Sequence, residues 1–139
     1  PFDYTDGQFD GATAISVWSH HRADAAQVWI NEVARILKPG GWFAVTFSSL
    51  HHVRWQALRS VRGAEHAQKM LDGIEKEGTF FVPVNYSGEK NDTGSNWGQA
   101  AYARERFFAI FRAHFSVAGY FPGLNQGNQD LAVFRRRTG

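Results

Sequence analysis

Residues 9–49 read FDGATAISVWSHHRADAAQVWINEVARILKPGGWFAVTFSS, and this stretch decides the fold. Ala12 to Trp18 is an almost unbroken apolar run, the pattern of a strand buried on both faces of a parallel sheet. Asp24 has the chemistry of a helix N-cap. Behind it Ala26, Trp29, Ile30, Val33, Ala34 and Leu37 recur at helical spacing and form one apolar stripe. Pro39-Gly40-Gly41 stops that helix, and Trp42 to Phe47 is a second apolar run of strand length. Strand, helix, strand in this order is a crossover between parallel strands, so the fold class is α/β.

Downstream of Ser49 the periodicity predicts helices over His52–Arg62 and Ala64–Glu77. Their buried faces are Val53, Leu58 and Val61, then Ala67, Met70, Leu71 and Ile74, and Gly78 ends the second helix. Phe80 to Val84 reads as a short extended piece that Pro83 confines to an edge. Asn85 to Gly98 is polar and turn-rich, and reads as a mobile loop. Arg104 to Phe115 reads as an amphipathic helix presenting Phe107, Phe108, Phe111 and Phe115. Ser116–Phe121 and Leu131–Arg135 then read as two strands joined by a polar, Gly-bearing connection suited to an antiparallel return.

Composition narrows the function classes. With 43% hydrophobic residues in 139, the chain can bury a real core. No cysteine means no disulfide framework and no zinc–thiolate site. A net charge of +2 gives no footprint for nucleic acid, and the Arg135-Arg136-Arg137 cluster reads as a solvated tail. No apolar run approaches the roughly 20 residues of a membrane span, and no leader is visible, so the expectation is a cytoplasmic protein.

The chemistry-bearing residues are two adjacent histidine pairs, His20-His21 and His51-His52, each just past an apolar run. Parallel strands consecutive in sequence are usually neighbours, about 4.8 Å apart. Both pairs should therefore emerge at the carboxyl edge of the sheet, where ligands bind in open α/β folds. Three readings compete: exposed or capping imidazoles, a role in substrate binding or proton removal, and a metal site from both pairs with Asp24. The metal reading lacks the His-x-His or His-x3-His spacing that makes side chains converge. Asp10 enters the sheet at the other edge and reads as a turn residue. Glu32 and Arg35 read as a helix pair, and Gln129-Asp130 as turn caps.

These residues also carry a resemblance. Phe9-Asp10 entering a strand, the polar end Ser19-His20-His21, the E-x-x-R-x-L-K-P-G-G helix exit from Glu32 to Gly41 and the strand end Thr46-Phe47 resemble the second half of class I S-adenosylmethionine-dependent methyltransferases. A weaker similarity runs from Asn128 to Arg135. The resemblance implies a Rossmann-like mixed sheet, mostly parallel, with an antiparallel C-terminal strand inserted beside the strand ending at Phe47. It implies that residues 1–139 are a single partial domain, truncated at its N-terminal side, with Pro1-Phe2 lying just past the family's third strand. The Gly-rich strand-to-helix turn that holds the family's cofactor has no counterpart in this sequence. Gly40-Gly41 joins helix to strand, at the opposite edge.

What the resemblance implies for function is S-adenosylmethionine as cofactor and methyl transfer to an oxygen or nitrogen acceptor. Trp18 and Ser19 would line the methionine end of the cofactor, and His20 or His21 would take the departing proton. From their position past the second strand, rather than from the resemblance, His51 and His52 are candidates to meet the acceptor, and Trp97 in the polar loop reads either as a hinge-packed residue or as a lid facing it. The first strand would present an unpaired apolar edge, so the expected partner is a second copy in a homodimer or a complementing chain. Two alternatives stay open: a non-catalytic assembly module built on the same fold, and a metal-dependent enzyme using the two histidine pairs.

Overall fold

The computed structural model describes residues 2–83 and 97–139. Pro1, Val84 and most of the polar stretch from Asn85 lie outside the described residues. The elements run β1 (Phe9–Ala14), α1 (Ala23–Ile36), β2 (Leu37–Phe47), α2 (Leu50–Ala57), α3 (Val61–Glu77), β3 (Thr79–Pro83), β4 (Gly98–Tyr102), α4 (Arg104–Phe111), β5 (Phe115–Asn125) and β6 (Gln129–Arg136). Among the described residues β1, β2, β6 and β5 form one sheet in that order, and β3 and β4 form a separate hairpin. β1 and β2 are parallel, and β6 lies antiparallel between β2 and β5. This is the mixed sheet expected, with the last strand inserted beside the one ending at Phe47.

The first strand is not Ala12–Trp18. It occupies Phe9–Ala14, and the chain turns away at Ser16, whose φ is 56°. The apolar run misleads because Trp18 is buried without being in the sheet: it packs edge-on against Phe43 at 5.5 Å and beside Phe111 at 6.0 Å. Nor is the strand buried on both faces, since Thr13 is exposed. Asp24 is not the N-cap either. Arg22 holds that position, and Asp24 sits in the first turn paired to its guanidinium at 2.7 Å. The helix closes at Ile36, and Lys38-Pro39-Gly40-Gly41 is taken into β2 as an irregularity in its register with β1.

One face of the sheet carries the core. Phe43, Val45 and Phe47 of β2, with Ala132 and Phe134 of β6, meet Ala26, Ile30, Val33 and Ala34 of α1 and Phe107 and Phe111 of α4. Phe111 stacks on Phe134 at 4.3 Å and Phe107 on Phe47 at 3.8 Å. Each such ring removed from water contributes about 1.5–3 kcal/mol. On the opposite face Trp42 is exposed and lies over Gly11, where a Cβ would come within 2.0 Å of the indole. A side chain at position 11 would displace that ring.

A second, smaller cluster joins Val53 of α2, Ala67, Met70 and Ile74 of α3, and Ala101 of β4. Leu58 and Val61, expected in it, are 88% and 80% exposed. Both lie where α2 ends and α3 begins rather than within a continuous helix, so neither is carried round to the packed face. Ser60 caps α3 through the Gly63 amide, and Gly78 closes it at φ 72°. The last expected helix stops at Phe111, and Phe115 instead opens β5. No helix among the described residues is long and apolar enough to cross a membrane.

Candidate functional site

Because β1 and β2 are parallel and β6 runs against them, one edge of the sheet gathers the exits of β1 and β2 and the entry of β6. Four segments meet there: the turn 15–21 after β1, Ser48-Ser49 leading into α2, the β5–β6 turn, and β4. The turn after β1 is closed by the His20 amide donating to the Val17 carbonyl at 3.0 Å. β4 stitches the edge through its backbone. Gly98 and Ala100 amides donate to the carbonyls of His20 and Ser19, and the Tyr102 amide to that of Ser48. The Tyr102 hydroxyl adds a bond to the His21 carbonyl at 2.8 Å. Burial pushes that phenol well above the usual tyrosine range, so it stays a neutral donor.

Beneath the turn lies a buried polar network. The Ser16 amide donates to Thr46 Oγ1 at 2.8 Å. Gln129 Oε1 accepts from Ser16 Oγ at 3.0 Å, from Thr46 Oγ1 at 2.8 Å and from Asn125 Nδ2 at 3.0 Å. Gln129 Nε2 donates to Ser19 Oγ at 3.3 Å. Next to it Asp130 is fully buried, taking the Gly123 amide at 2.9 Å and the Tyr120 hydroxyl. Burial first, and Asp130 second, raise the Tyr120 phenol. Asp130 thus holds the β5–β6 connection, as a turn cap would, whereas Gln129 reaches across β2 to the turn after β1.

The two histidine pairs do share this edge, but they divide into unlike settings. His20 Nδ1 donates to the Gly98 carbonyl at 2.8 Å, and its ring stacks on Trp97 at 4.8 Å and 16°. His21 meets the same indole edge-on at 5.1 Å and forms an isolated antiparallel bridge with it. Trp97 is 39% exposed. His51 Nε2 instead donates to the Gly127 carbonyl at 2.8 Å. His52 is buried, takes the Gln56 amide on Nε2 at 3.2 Å and stacks on Trp55. Burial pushes the His52 imidazole down, opposed by the Asn128 backbone and aided by His66 and His51.

No three His, Cys, Asp or Glu side chains group to hold a metal ion among the described residues. Asp24 is occupied by Arg22, whose guanidinium holds that carboxyl down at about 2. Asp10 is an exposed strand residue paired to Lys38, and Glu32 pairs with Arg35, which also reaches Asp6 and the Phe2 and Tyr4 carbonyls. Trp18 and Ser19 are both buried in the turn after β1. Ser16, Thr46 and Asn125 were not expected here. The sequence gives no signal for Ser16, because a left-handed serine looks like any other in an apolar run.

Residues 1–45 match the family model for a methyltransferase domain. The whole chain superimposes on a solved S-adenosylmethionine-dependent methyltransferase from Methanosarcina mazei with a TM-score of 0.63 at 15% identity, covering 100% of this chain and 64% of that one. The chain has the fold of S-adenosylmethionine-dependent methyltransferases. A second solved relative is the 1,6-didemethyltoxoflavin-N1-methyltransferase of Burkholderia thailandensis, solved with its namesake compound and S-adenosylhomocysteine. It aligns at TM-score 0.58 and 16% identity, over 96% of this chain and 46% of that one. The [4+2]-cyclase SpnF aligns at 0.51 and 13%, over 100% and 53%. This methyltransferase-fold chain therefore spans between 46% and 64% of the length of these three proteins. No curated protein matches it. The cyclase among the relatives shows why chemistry has to be argued from the site.

Proposed function

We propose that this chain is the acceptor-side part of an S-adenosylmethionine-dependent methyltransferase, acting on an oxygen or nitrogen nucleophile. One observation carries the reading: the turn after β1 is held open at the carboxyl edge by β4, Thr46 and Gln129, with a histidine on it. Several residues fit the methionine end of the cofactor. Trp18 lines a cleft of about 530 Å³ with Ala14, Val17 and His21, and its buried indole N–H has no acceptor among the described residues. Ser19 lies beside it in the same turn. When bound, the cofactor supplies an electrophilic methyl group on a sulfonium.

The chain's own contribution is placement and proton removal. Because His20 Nδ1 spends its proton on the Gly98 carbonyl, Nε2 carries the lone pair, and a neutral His20 can accept the proton an acceptor loses. His21 meets the same indole edge-on. Trp97, stacked on His20, restrains that ring and offers a flat apolar surface to an acceptor. His51 borders a separate cleft of about 320 Å³ with Arg54, Arg104 and Tyr120, and there we assign it to acceptor binding. His52, buried against Gln56 and Trp55, we assign to the support of α2. Positioning reactants and excluding water provide most of the acceleration in such a site.

The test is a titration with S-adenosylhomocysteine followed by tryptophan fluorescence, comparing the native chain with Trp18→Phe. Saturable quenching carried by Trp18 is expected. Unchanged fluorescence up to millimolar ligand contradicts the reading.

The outer edge of β1 carries no strand among the described residues, and the far end of the same cleft, away from Trp18, runs along that edge past Phe2, Tyr4, Phe9 and Trp29. Such an edge invites pairing, and we assign it to a strand of a second copy or of a complementing chain. Light scattering separates the two. Twice the 15.6 kDa chain mass supports the second copy, and a mass that stays at 15.6 kDa at micromolar concentration overturns it.

A further inference from the structure

We infer that Gln129 is the positioning residue of this site: its side-chain amide locks the turn after β1 into the shape that presents Trp18, Ser19 and His20. The inference rests on the methyltransferase reading above for its purpose, but its geometry stands independently. Gln129 opens β6 and is 9% exposed. A capping residue would serve its own hairpin, and Asp130 does that work through Gly123 and Tyr120. Gln129 also takes the Asn125 side-chain amide within that hairpin, but its other three bonds run away from it, to Thr46 on β2 and to Ser16 and Ser19 in the turn leaving β1.

It grips that turn at both ends. Oε1 accepts the Ser16 hydroxyl and Nε2 donates to the Ser19 hydroxyl, so a single amide fixes two residues three apart around the Val17–His20 turn. Thr46 relays the hold: its Oγ1 accepts from the Ser16 amide and passes its own proton to Gln129 Oε1. Ser16 needs such support, because at φ 56° a side-chain-bearing residue sits in a sparsely populated region that persists only where surroundings over-determine it. Trp18 lies between the two gripped serines and is thereby directed against Phe43 and Phe111. A carboxamide suits this place better than a carboxylate, since it can accept from Ser16 and Thr46 while donating to Ser19.

Amide hydrogen exchange on the full chain tests the inference. Gln129→Leu keeps bulk but leaves buried hydroxyls without their acceptor. It should speed exchange of the Ser16–His20 amides tenfold or more, with the Gly123 amide unchanged. Gln129→Glu retains the acceptor oxygen and should restore most of that protection. Tyr120→Phe should loosen Gly123 and leave the turn unchanged. Faster exchange spread evenly over the chain in Gln129→Leu, or none in the turn, overturns the inference. Should Gln129→Leu fail to fold, Ser16→Gly decides. Glycine adopts the same φ freely, so the chain should fold while the turn exchanges faster, and an unchanged turn overturns the inference.

Affinity for S-adenosylhomocysteine supplies the second readout. Where the native chain binds, Gln129→Leu should weaken binding tenfold or more and Gln129→Glu less, and equal affinities overturn the inference. Where the native chain does not bind, the methyltransferase reading fails, and the exchange contrast alone still decides whether Gln129 holds the turn.

Discussion

His20-His21 and His51-His52 are twins in sequence, two adjacent histidines just beyond two parallel strands, yet they end in different chemical settings. The first pair lies against Trp97 and the backbone of β4, with His20 holding one ring nitrogen on a carbonyl. The second pair belongs to α2, where one ring latches the β5–β6 turn and the other is buried against Trp55 and Gln56. A strand exit fixes where a residue emerges. What the residue can do is fixed by the element that arrives later in sequence, β4 for one pair and the β5–β6 hairpin for the other.

Exchanging the roles is the most forceful way to break this comparison. His20→Ala should lower the turnover of methyl transfer by about 10²-fold or more, the usual contribution of a positioned proton acceptor. His51→Ala should instead raise KM with turnover little changed. Equal losses of turnover in both variants would erase the distinction.

The latch itself can be tested through Gly123. A Cβ there would sit 2.4 Å from His51 Nε2, and the residue's φ is 63°. Gly123→Ala should cost about 2 kcal/mol in urea denaturation, from the clash and the left-handed backbone together. Adding His51→Ala should recover the clash and leave the backbone part. If the double variant is no more stable than Gly123→Ala, His51 is not held there.

Tyr102→Phe removes the hydroxyl bond to the His21 carbonyl and should cost about 1 kcal/mol. It should also free the first pair without disturbing the second, visible as broadened His20 and His21 ring resonances beside unchanged His51 ones. A response in His51 alone would place the coupling elsewhere.

The smallest effect is a pH slope. Burial lowers the His52 imidazole in the folded chain, so below the ordinary value of about 6.5 the unfolded chain binds more protons. Stability should therefore fall as pH drops through the window between that value and the lower folded one. His52→Gln should flatten the slope. A slope that survives the substitution assigns it to another group.

The crossover and the shared edge of the two histidine pairs were legible in the sequence, because they follow from apolar runs, a helix stripe and a Pro-Gly-Gly stop, whereas the place of the antiparallel last strand beside β2 was legible only through the family resemblance. The end of the first strand was not. Val17 and Trp18 continue the apolar run, and only the Ser16 backbone shows that the chain has left the sheet. Leu58 and Val61 misled for a related reason: helical spacing assigned them a face, and the break between α2 and α3 removed it. The network around Gln129 joins residues up to 113 positions apart, a distance over which periodicity carries no information.

The most direct measurement is hydrogen exchange of the chain with and without S-adenosylhomocysteine. The expected result is protection concentrated in the turn after β1, from Ala14 to His21, with α2 from Leu50 to Ala57 unchanged. Protection confined to α2, or no protection at millimolar ligand, would contradict the assignment of this turn as the cofactor-facing part of the molecule.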